Sequence, residues 1–426
     1  MSQVRLRPLA GLLGIGALLL SACAQVPTPA PQQPPAQPPA EGGAATQAPQ
    51  PAATEEFRVG MVIVGPMNDK GWNESHVEGT KYVMAKMPNV KFDYVDKVNP
   101  GDRPNVKGSQ VADDLIARGA KLIIFNSDDF KDDALETAKK HPNIPVVHVS
   151  GDYAWKEGRN YKNQPNLINF MVKMEPGWMI AGCASALETE NGKIGTLGPL
   201  INEETRRYAN AAYLGARYCW ENYRKRDPKE LQFKVTWIGF WFNIPGVTLD
   251  PTKVADDFYN SGFDVVMSAI DTPEAAVQGR KAADAGKKVK YHHYDFKGGC
   301  ELAPEICIGV HYYNWGPGYL KIIQSAMQGQ IGETWIWAEG NLKDLNNPDT
   351  SAFGYIKGKA LRPENASLLD EFIKGLADGS IDLWKGPLNF QDGTVFLKEG
   401  ERATDQQIWY MPQLLEGMEG QSVPTS

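Results

Sequence analysis

Aromatic and polar side chains alternate in one short stretch near the start of the folded sequence, GPMNDKGWNES at residues 65–75. Asn68 and Asp69 precede Trp72 there, and the stretch follows the apolar run FRVGMVIV. An indole ring can cover a flat ligand by dispersion, while amides and carboxylates bind the ligand's polar edge or its hydroxyls. The stretch therefore favours binding of a flat, polar, neutral molecule. A structural alternative is that Asn68 or Asp69 caps a helix and Trp72 packs inward.

Similar mixtures of polar and aromatic residues recur where other predicted strands end. They are NSDD at 126–129, GDY at 151–153, WFN at 241–243, IDT at 270–272 and YDF at 294–296. Ligands of open α/β sheets bind outside the carboxyl ends of the strands. The recurrence therefore predicts a ligand cleft that is lined by these strand ends.

The elements that would position these residues alternate between short β-branched runs and longer amphipathic segments. From residue 57 they form two successive units of similar size, which predicts right-handed βαβ crossovers and a parallel sheet in each unit. A strand and a helix at residues 305–329 have no unit of their own, so we expect the chain to cross back to the first unit there. The predicted fold is α/β, with two Rossmann-like parallel-sheet lobes. We place the first lobe at 55–165 plus 308–345 and the second at 166–307 plus 346–420.

The N-terminal sequence indicates export and membrane anchoring. Arg5 and Arg7 precede the apolar run LAGLLGIGALLL, and the small residues that follow end at Cys23. This pattern resembles the bacterial lipobox, which predicts a signal peptide at 1–22, Cys23 as the lipidated first residue and an extracytoplasmic domain held at the cell membrane. An ordinary secretory signal is the alternative. Residues 23–54 are rich in Pro, Ala and Gln and predict a semi-extended tether.

Charge and cysteine content narrow the possible partners. The chain has 426 residues and a formal net charge of −7, with no evident basic face, which argues against nucleic acid. Apart from Cys23, four cysteines remain, an even number for an oxidising compartment. We predict disulfides Cys183–Cys219 and Cys300–Cys307, with free buried thiols as the alternative. We predict no metal site, because the sequence has neither a CxxC pair nor the histidine spacing of a zinc site.

Several segments together resemble one known family. MNDKGWNESHVEG at 67–79, EPGWMIAG at 175–182, NAAYLGAR at 210–217 and residues 237–286 are similar to the basic membrane lipoprotein (BMP) family of ABC-transporter substrate-binding proteins. The segments at 314–330 and from 386 onward resemble the branch that includes purine-binding members. The resemblance covers roughly residues 57–420. It implies a type I periplasmic-binding-protein fold with hinge closure, a purine base or nucleoside as ligand, an ABC permease as partner, a monomer and no cofactor.

The resemblance also implies site residues by position. Asn68 and Asp69 match the family's ligand-contacting loop, and Trp72 matches its stacking aromatic, where many relatives have Phe. The other matching positions are Asn126, Asp128, Trp241, Asp271 and Asp295.

One segment departs from the family pattern. Nucleoside-binding relatives often place a Lys near the position of GVHYYNWGP, where this chain has His311, Asn314 and Trp315. We include Trp315 among the ligand-binding candidates. The change leaves a free base or another planar ligand open as well as a nucleoside.

Two other classes of function remain open. A surface lipoprotein that senses the same ligand and acts on a signalling partner would use the same cleft. A nucleoside or glycoside hydrolase would need paired carboxylates, such as Asp128 and Asp271 facing each other. No nucleophile, base and orienting group stand out in the sequence, so we expect a binding protein without enzymatic activity.

Overall fold

The structure is a computed structural model, and it describes residues 55–424. The predicted signal peptide at 1–22, the lipidated Cys23 and the tether at 23–54 lie outside the described residues. None of the helices within residues 55–424 combines the length and the apolar composition that a membrane span requires.

Strands and helices alternate along most of the described chain. The strands are β1 (Phe57–Val62), β2 (Val90–Val95), β3 (Leu122–Phe125), β4 (Val146–Val149), β5 (Leu167–Val172), β6 (Lys193–Gly198), β7 (Gln232–Trp237), β8 (Val265–Ser268), β9 (Lys290–Asp295), β10 (Cys307–Tyr313), β11 (Trp335–Ala338), β12 (Phe353–Lys357), β13 (Leu388–Asn389), β14 (Val395–Leu397) and β15 (Met418–Glu419). The α-helices are α1 (Trp72–Lys86), α2 (Gly108–Ala117), α3 (Lys131–Lys140), α4 (Glu175–Glu188), α5 (Glu203–Asn222), α6 (Pro251–Asn260), α7 (Glu274–Asp284), α8 (Gly316–Met327), α9 (Pro363–Asp378) and α10 (Asp405–Trp409).

Two large sheets organise the molecule, and each forms the centre of one lobe. The first has the strand order β11-β5-β4-β3-β1-β2, and all its neighbouring strands are parallel. The second has the order β12-β10-β9-β8-β6-β7-β15 and is parallel except for β12, which pairs antiparallel with β10. The predicted α/β fold with two parallel-sheet lobes is confirmed.

Continuous apolar runs form the central strands of the first sheet. The sequences LIIF in β3, VVHV in β4 and LINFMV in β5 are buried at every residue. Parallel strands show this pattern because helices cover both faces of their sheet. Among the first-lobe candidates, Asn126 and Asp128 follow β3, whereas Asn68, Asp69 and Trp72 follow β1.

The chain passes between the lobes after β5, after β10 and after β11. Two predicted lobe boundaries differ from the structure. β5 lies in the first sheet, although we assigned 166–307 to the second lobe, and β10 lies in the second sheet, although we assigned 308–345 to the first. A buried apolar strand next to a crossing can pair in either sheet, so local sequence does not specify its lobe.

Two disulfides are present among the described residues, and they join the pairs named from the sequence. Cys183 of α4 is bonded to Cys219 of α5, with Cα atoms 5.2 Å apart. Cys300 is bonded to Cys307 at the start of β10, with Cα atoms 5.4 Å apart. The first bond fixes the two helices that cover one face of the second lobe.

Residues 404–424, which we call the C-terminal segment, contact both lobes. On the first lobe, the Tyr410 hydroxyl donates to Asp152 Oδ2 at 2.6 Å. On the second lobe, Arg206 Nε of α5 donates to the carbonyl of Met411 at 2.7 Å, and β15 pairs with β7. The segment therefore bridges the lobes, which the sequence did not predict.

Candidate functional site

Asp69 caps the start of α1. Its carboxylate accepts hydrogen bonds from the backbone N–H groups of Gly71 at 3.0 Å, Asn73 at 2.9 Å and Glu74 at 3.0 Å, and from the Asn73 amide at 2.7 Å. Burial raises the pKa of Asp69, and these bonds oppose the rise. Asn68 beside it is exposed. The structure thus places Asp69 in the capping role, which is the structural alternative to ligand contact.

Trp72, the first residue of α1, is held at the edge of a cavity between the lobes. Its Nε1 donates to the carbonyl of Asn126 at 2.6 Å, and the side chain is 8% exposed. Three rings contact it edge to face: His76 at 4.7 Å between ring centroids, Tyr313 at 5.2 Å and Trp315 at 5.3 Å. The indole orientation is therefore fixed from several sides.

Asn126 is a positioning residue at the end of β3. Its Oδ1 accepts from the backbone N–H of Val64 at 3.0 Å, and its Nδ2 donates to Asn73 Oδ1 at 2.8 Å. The side chain is fully buried. Because these groups bind the first loop, Asn126 supports Trp72 and does not line the cavity.

A small cavity, which we call the central cavity, brings four predicted residues together. Trp72 and Asp128 belong to the first lobe, and Trp241 and Asp271 belong to the second. In this closed arrangement the cavity has room for about one water molecule. It is lined by Trp72, Ser127, Asp128, Ser150, Glu204, Trp241 and Asp271. Two indole rings from opposite lobes and several carboxyl groups thus meet at one place, as the cleft hypothesis requires.

The lobes are in direct contact around the central cavity. Ser150 Oγ donates to Glu204 Oε2 at 2.6 Å, and a ring nitrogen of His293 lies 2.9 Å from the carbonyl of Lys70. A Cβ on Gly71 would overlap the backbone carbonyl of Asp271, so only glycine allows this approach. The conformation is therefore closed over the cavity.

Asp271 and Asp295 lie at strand ends of the second lobe and are almost fully buried. Burial raises the pKa of both well above the ordinary value, with Asp69 adding to the shift of Asp271 and Asp271 adding to that of Asp295. Asp295 has a φ of 69°, a conformation that costs energy outside glycine. A raised pKa favours the protonated carboxyl, which can donate as well as accept hydrogen bonds.

Trp315 precedes α8 and packs away from the central cavity. Its ring is fully buried and stacks with His76 at 4.3 Å and with Tyr313 at 4.6 Å between centroids. Its Nε1 donates to Ser75 Oγ at 3.0 Å. These contacts support α1 and α8, and they place Trp315 behind Trp72, not beside the cavity.

A buried ion group borders the cavity and was not identified from the sequence. Arg207 of α5 is 1% exposed, its Nε donates to Glu175 Oε1 at 2.7 Å, and its Nη2 lies 3.6 Å from Glu204 Oε2. The spacing of Glu204 and Arg207 on one helix was visible in the sequence. Such a pair normally indicates a solvated helix face, so nothing in the local sequence indicates that this pair is buried.

The pKa of Glu204 predicts an unusual pH dependence of stability. Burial raises this pKa to about 7; Asp128 adds to the rise, and Arg207 opposes it. Between the ordinary pKa of 4.5 and about 7, the folded protein retains a proton that the unfolded chain has lost. The contribution of Glu204 to stability therefore decreases as the pH rises through this window.

Replacing Glu204 by Gln should remove that contribution. Thermal unfolding from about pH 5 to 8 should show the wild-type midpoint falling relative to that of Glu204→Gln. The matched control is Glu203→Gln, one residue earlier and exposed, which should follow the wild type. Parallel curves for wild type and Glu204→Gln would contradict the assignment.

Two lobes that close over a cavity of aromatic and acidic side chains are the arrangement of a solute-binding protein. The family described as Bmp, ABC transporter substrate-binding protein PnrA-like, matches residues 57–338, and the chain belongs to this family. The resemblance stated from the sequence motifs is thereby confirmed. Members bind solutes outside the cytoplasm, so the chain is an extracytoplasmic binding protein and not an enzyme.

Individual relatives agree with this assignment. The chain is 27% identical over 385 residues to a purine-binding protein of Brucella abortus (strain 2308), covering 89% of this chain and 95% of the relative. It is 24% identical over 374 residues to a putative ABC transporter glucose-binding protein of Haloferax volcanii, covering 87% and 82%. A solved ABC transporter solute-binding protein of Aeropyrum pernix K1 matches with a TM-score of 0.60 and 12% identity, covering 78% and 93%, which shows a shared fold.

Proposed function

We propose that the chain is the membrane-anchored substrate-binding lipoprotein of an ABC importer and captures a purine base or nucleoside in the central cavity. The observation that carries the proposal is the pair of indole rings, Trp72 and Trp241, which line one cavity from opposite lobes. A flat aromatic ligand offers a face for these rings and an edge for Asp128 and Asp271. The purine-binding relative from Brucella abortus supports the same ligand class.

A monosaccharide is the second candidate ligand. The Haloferax volcanii relative carries the description of a putative glucose-binding protein. Indole rings also pack on the apolar faces of sugars, and carboxylates accept hydrogen bonds from hydroxyls. The two candidate ligands would present different groups to Asp128 and Asp271. A purine would present the edge of its heterocycle, and a monosaccharide would present hydroxyl groups.

A ligand panel separates the candidates through thermal stability. A ligand that binds the folded state raises the unfolding midpoint in a concentration-dependent way. We expect a purine base or nucleoside to raise it, and no comparable effect from monosaccharides or amino acids. Asp271→Ala should reduce the shift, whereas Asp284→Ala, at an exposed position of the same lobe, should leave it unchanged. A shift with glucose but with no purine would replace the purine proposal by the sugar one.

The proposed anchor and importer role have their own tests. Cys23→Ala should release the protein from the membrane fraction of its host, because the lipid would be missing. Retention of Cys23→Ala in that fraction would contradict lipid anchoring. Uptake of the bound solute should fail in cells that lack the protein; normal uptake would instead favour a sensor that acts on a signalling partner.

A further inference from the structure

The loop between β7 and α6, residues 239–249, reaches from the second lobe to the first. Its sequence is GFWFNIPGVTL, and it contains Trp241, which lines the central cavity. Phe242 and Ile244 of this β7–α6 loop are half-buried, whereas Val247 is 73% exposed. Two apolar side chains of a protruding loop are therefore covered while another is left in solvent.

The cover comes from two glycines of the first lobe. Gly65 follows β1 and Gly101 follows β2. A Cβ added to Gly65 would lie 3.8 Å from Cε1 of Phe242, and one added to Gly101 would lie 3.6 Å from Cγ2 and 3.9 Å from Cγ1 of Ile244. Atoms at such distances are in van der Waals contact, so each side chain lies over its glycine with room for one more methyl group. Because the partners belong to different lobes, the contact requires the lobes to be closed.

The surface that receives the two side chains is fixed within the first lobe. Asn99 is 5% exposed, its Nδ2 donates to the carbonyl of Val64 at 2.8 Å, and its Oδ1 accepts from the N–H of Gly101 at 2.9 Å. The N–H of Lys97 donates to the carbonyl of Gly65 at 3.1 Å. These bonds join the loop after β2 to the loop after β1, so the two glycines form one surface.

The β7–α6 loop is ordered by its own hydrogen bonds. The carbonyl of Ile244 accepts from the N–H groups of Val247 and Thr248, each at 3.0 Å, and the N–H of Ile244 donates to Thr248 Oγ1 at 3.0 Å. The carbonyl of Trp241 accepts from the N–H of Asp271, another residue of the central cavity, at 2.9 Å. The position of Ile244 is thus coupled to the backbone that carries the Trp241 indole.

A solute must pass through an open state to reach this indole. The closed cavity has room for about one water molecule, so a solute can reach Trp72 and Trp241 only after the lobes part. A contact that forms on closure stabilises the closed state relative to the open one. An apolar contact is suited to this role because it is non-directional and can form again at each closure.

We propose that Phe242 and Ile244 are positioning residues, which pack over Gly65 and Gly101 when the lobes close, hold Trp241 against the bound solute and slow its release. The inference goes beyond the proposed ligand, because it applies to any solute that the central cavity binds. It assigns to the β7–α6 loop a contribution to residence time that involves no contact between Ile244 and the solute.

Two variants change the contact in opposite directions. Ile244→Ala removes both γ carbons, and Gly101→Ala adds a methyl group beside them. The φ of Gly101 lies outside the left-handed region, so its backbone accepts alanine. The added Cβ would also lie 3.2 Å from Asn99 Oδ1, but this contact is within the first lobe and is the same in the open and closed states. A change in release rate therefore reports the contact with Ile244.

Release is measured by stopped-flow tryptophan fluorescence, with adenine, inosine and glucose as the probes. For each probe that binds, Ile244→Ala should release it about fivefold or more faster than the wild type, and Gly101→Ala about twofold or more slower. Association rates should change little, because the solute enters the open state. Damage to the fold would not slow release, so the Gly101→Ala result separates positioning from a general structural effect.

Three further variants serve as controls. Ile244→Val keeps both γ carbons and should restore most of the slow release. Val247→Ala removes an apolar side chain from the exposed part of the same loop and should release the probe at the wild-type rate. In the double variant of Gly101→Ala and Ile244→Ala, the added methyl group should no longer slow release, because its partner atoms are missing.

The outcomes separate the positioning role from the proposed function. Equal release rates in the wild type, Ile244→Ala and Gly101→Ala overturn the positioning role, as does equal acceleration in Val247→Ala and Ile244→Ala. If glucose binds and the purines do not, the purine proposal is overturned and the positioning role is judged on glucose. If no probe binds, both ligand classes are overturned, and X-ray scattering of the ligand-free protein decides the positioning role. Gly101→Ala should then have a smaller radius of gyration than Ile244→Ala, and equal radii overturn the role.

Discussion

Arg207→Met should lower the free energy of unfolding by about 3–5 kcal/mol, the cost of removing one partner from a buried ion group. The guanidinium is 1% exposed and lies between Glu175 and Glu204. Methionine leaves both carboxyl groups buried without their cation. It also removes the contact of the guanidinium with the Trp409 ring, now 4.3 Å from the centroid.

The control for this prediction neutralises the whole group. Glu175→Gln, Arg207→Met and Glu204→Gln together leave no uncompensated charge, so the triple variant should recover most of the loss. Urea unfolding at constant pH measures all the variants. A loss below about 1 kcal/mol in Arg207→Met, the size of an exposed ion pair, would show that the group is solvated.

Trp72→Ala should weaken binding of an aromatic ligand by about 1–3 kcal/mol, the scale of base–aromatic stacking. Trp72→Phe should weaken it much less, because a ring face remains. The Ala variant also loses packing against three rings and the bond to Asn126, so its stability should fall as well. Affinity is therefore compared at a temperature at which every variant is folded. If Trp72→Ala does not fold at any practical temperature, Trp72→Leu takes its place.

The matched control is Trp220→Phe. Trp220 is fully buried, its Nε1 donates to the carbonyl of Asp227 at 2.9 Å, and it does not line the central cavity. It therefore tests the loss of an indole and its hydrogen bond away from the site, and affinity should not change. Unchanged affinity in a folded Trp72→Ala variant would exclude the stacking role.

The sequence could predict that four candidate residues line one cavity, because strand ends and aromatic residues are local features. Trp72, Asp128, Trp241 and Asp271 each follow a recognisable apolar strand. Parallel-strand geometry places such residues at one edge of their sheet.

Residues with two physically reasonable roles were not resolved by the sequence. Asp69 could cap a helix or face a ligand, and in the structure its carboxylate binds the N–H groups of its own loop. Trp315 follows a strand as Trp72 does, yet it packs against His76 and Tyr313. The difference arises from how α8 packs on α1, a contact between segments far apart in sequence.

Buried polar groups on helices were missed for a related reason. Arg207 lies within a charged run of α5, and Glu175 lies in the largely apolar α4. Helical periodicity predicts which face of a helix is buried. It does not predict whether that face packs against apolar core residues or borders a cavity. Only the packing of both helices on the second sheet identifies these residues.

The C-terminal segment has a kinetic consequence for a bound solute. The solute can leave only when the lobes part, but Tyr410 is held to Asp152 on one lobe while the neighbouring Met411 is held to Arg206 on the other. We expect parting of the lobes to loosen at least one of these attachments, which would raise the barrier to release without adding any contact to the solute. We therefore expect residence time to be set partly by the C-terminal segment, so that sequence changes there tune the rate of delivery while the cavity stays the same.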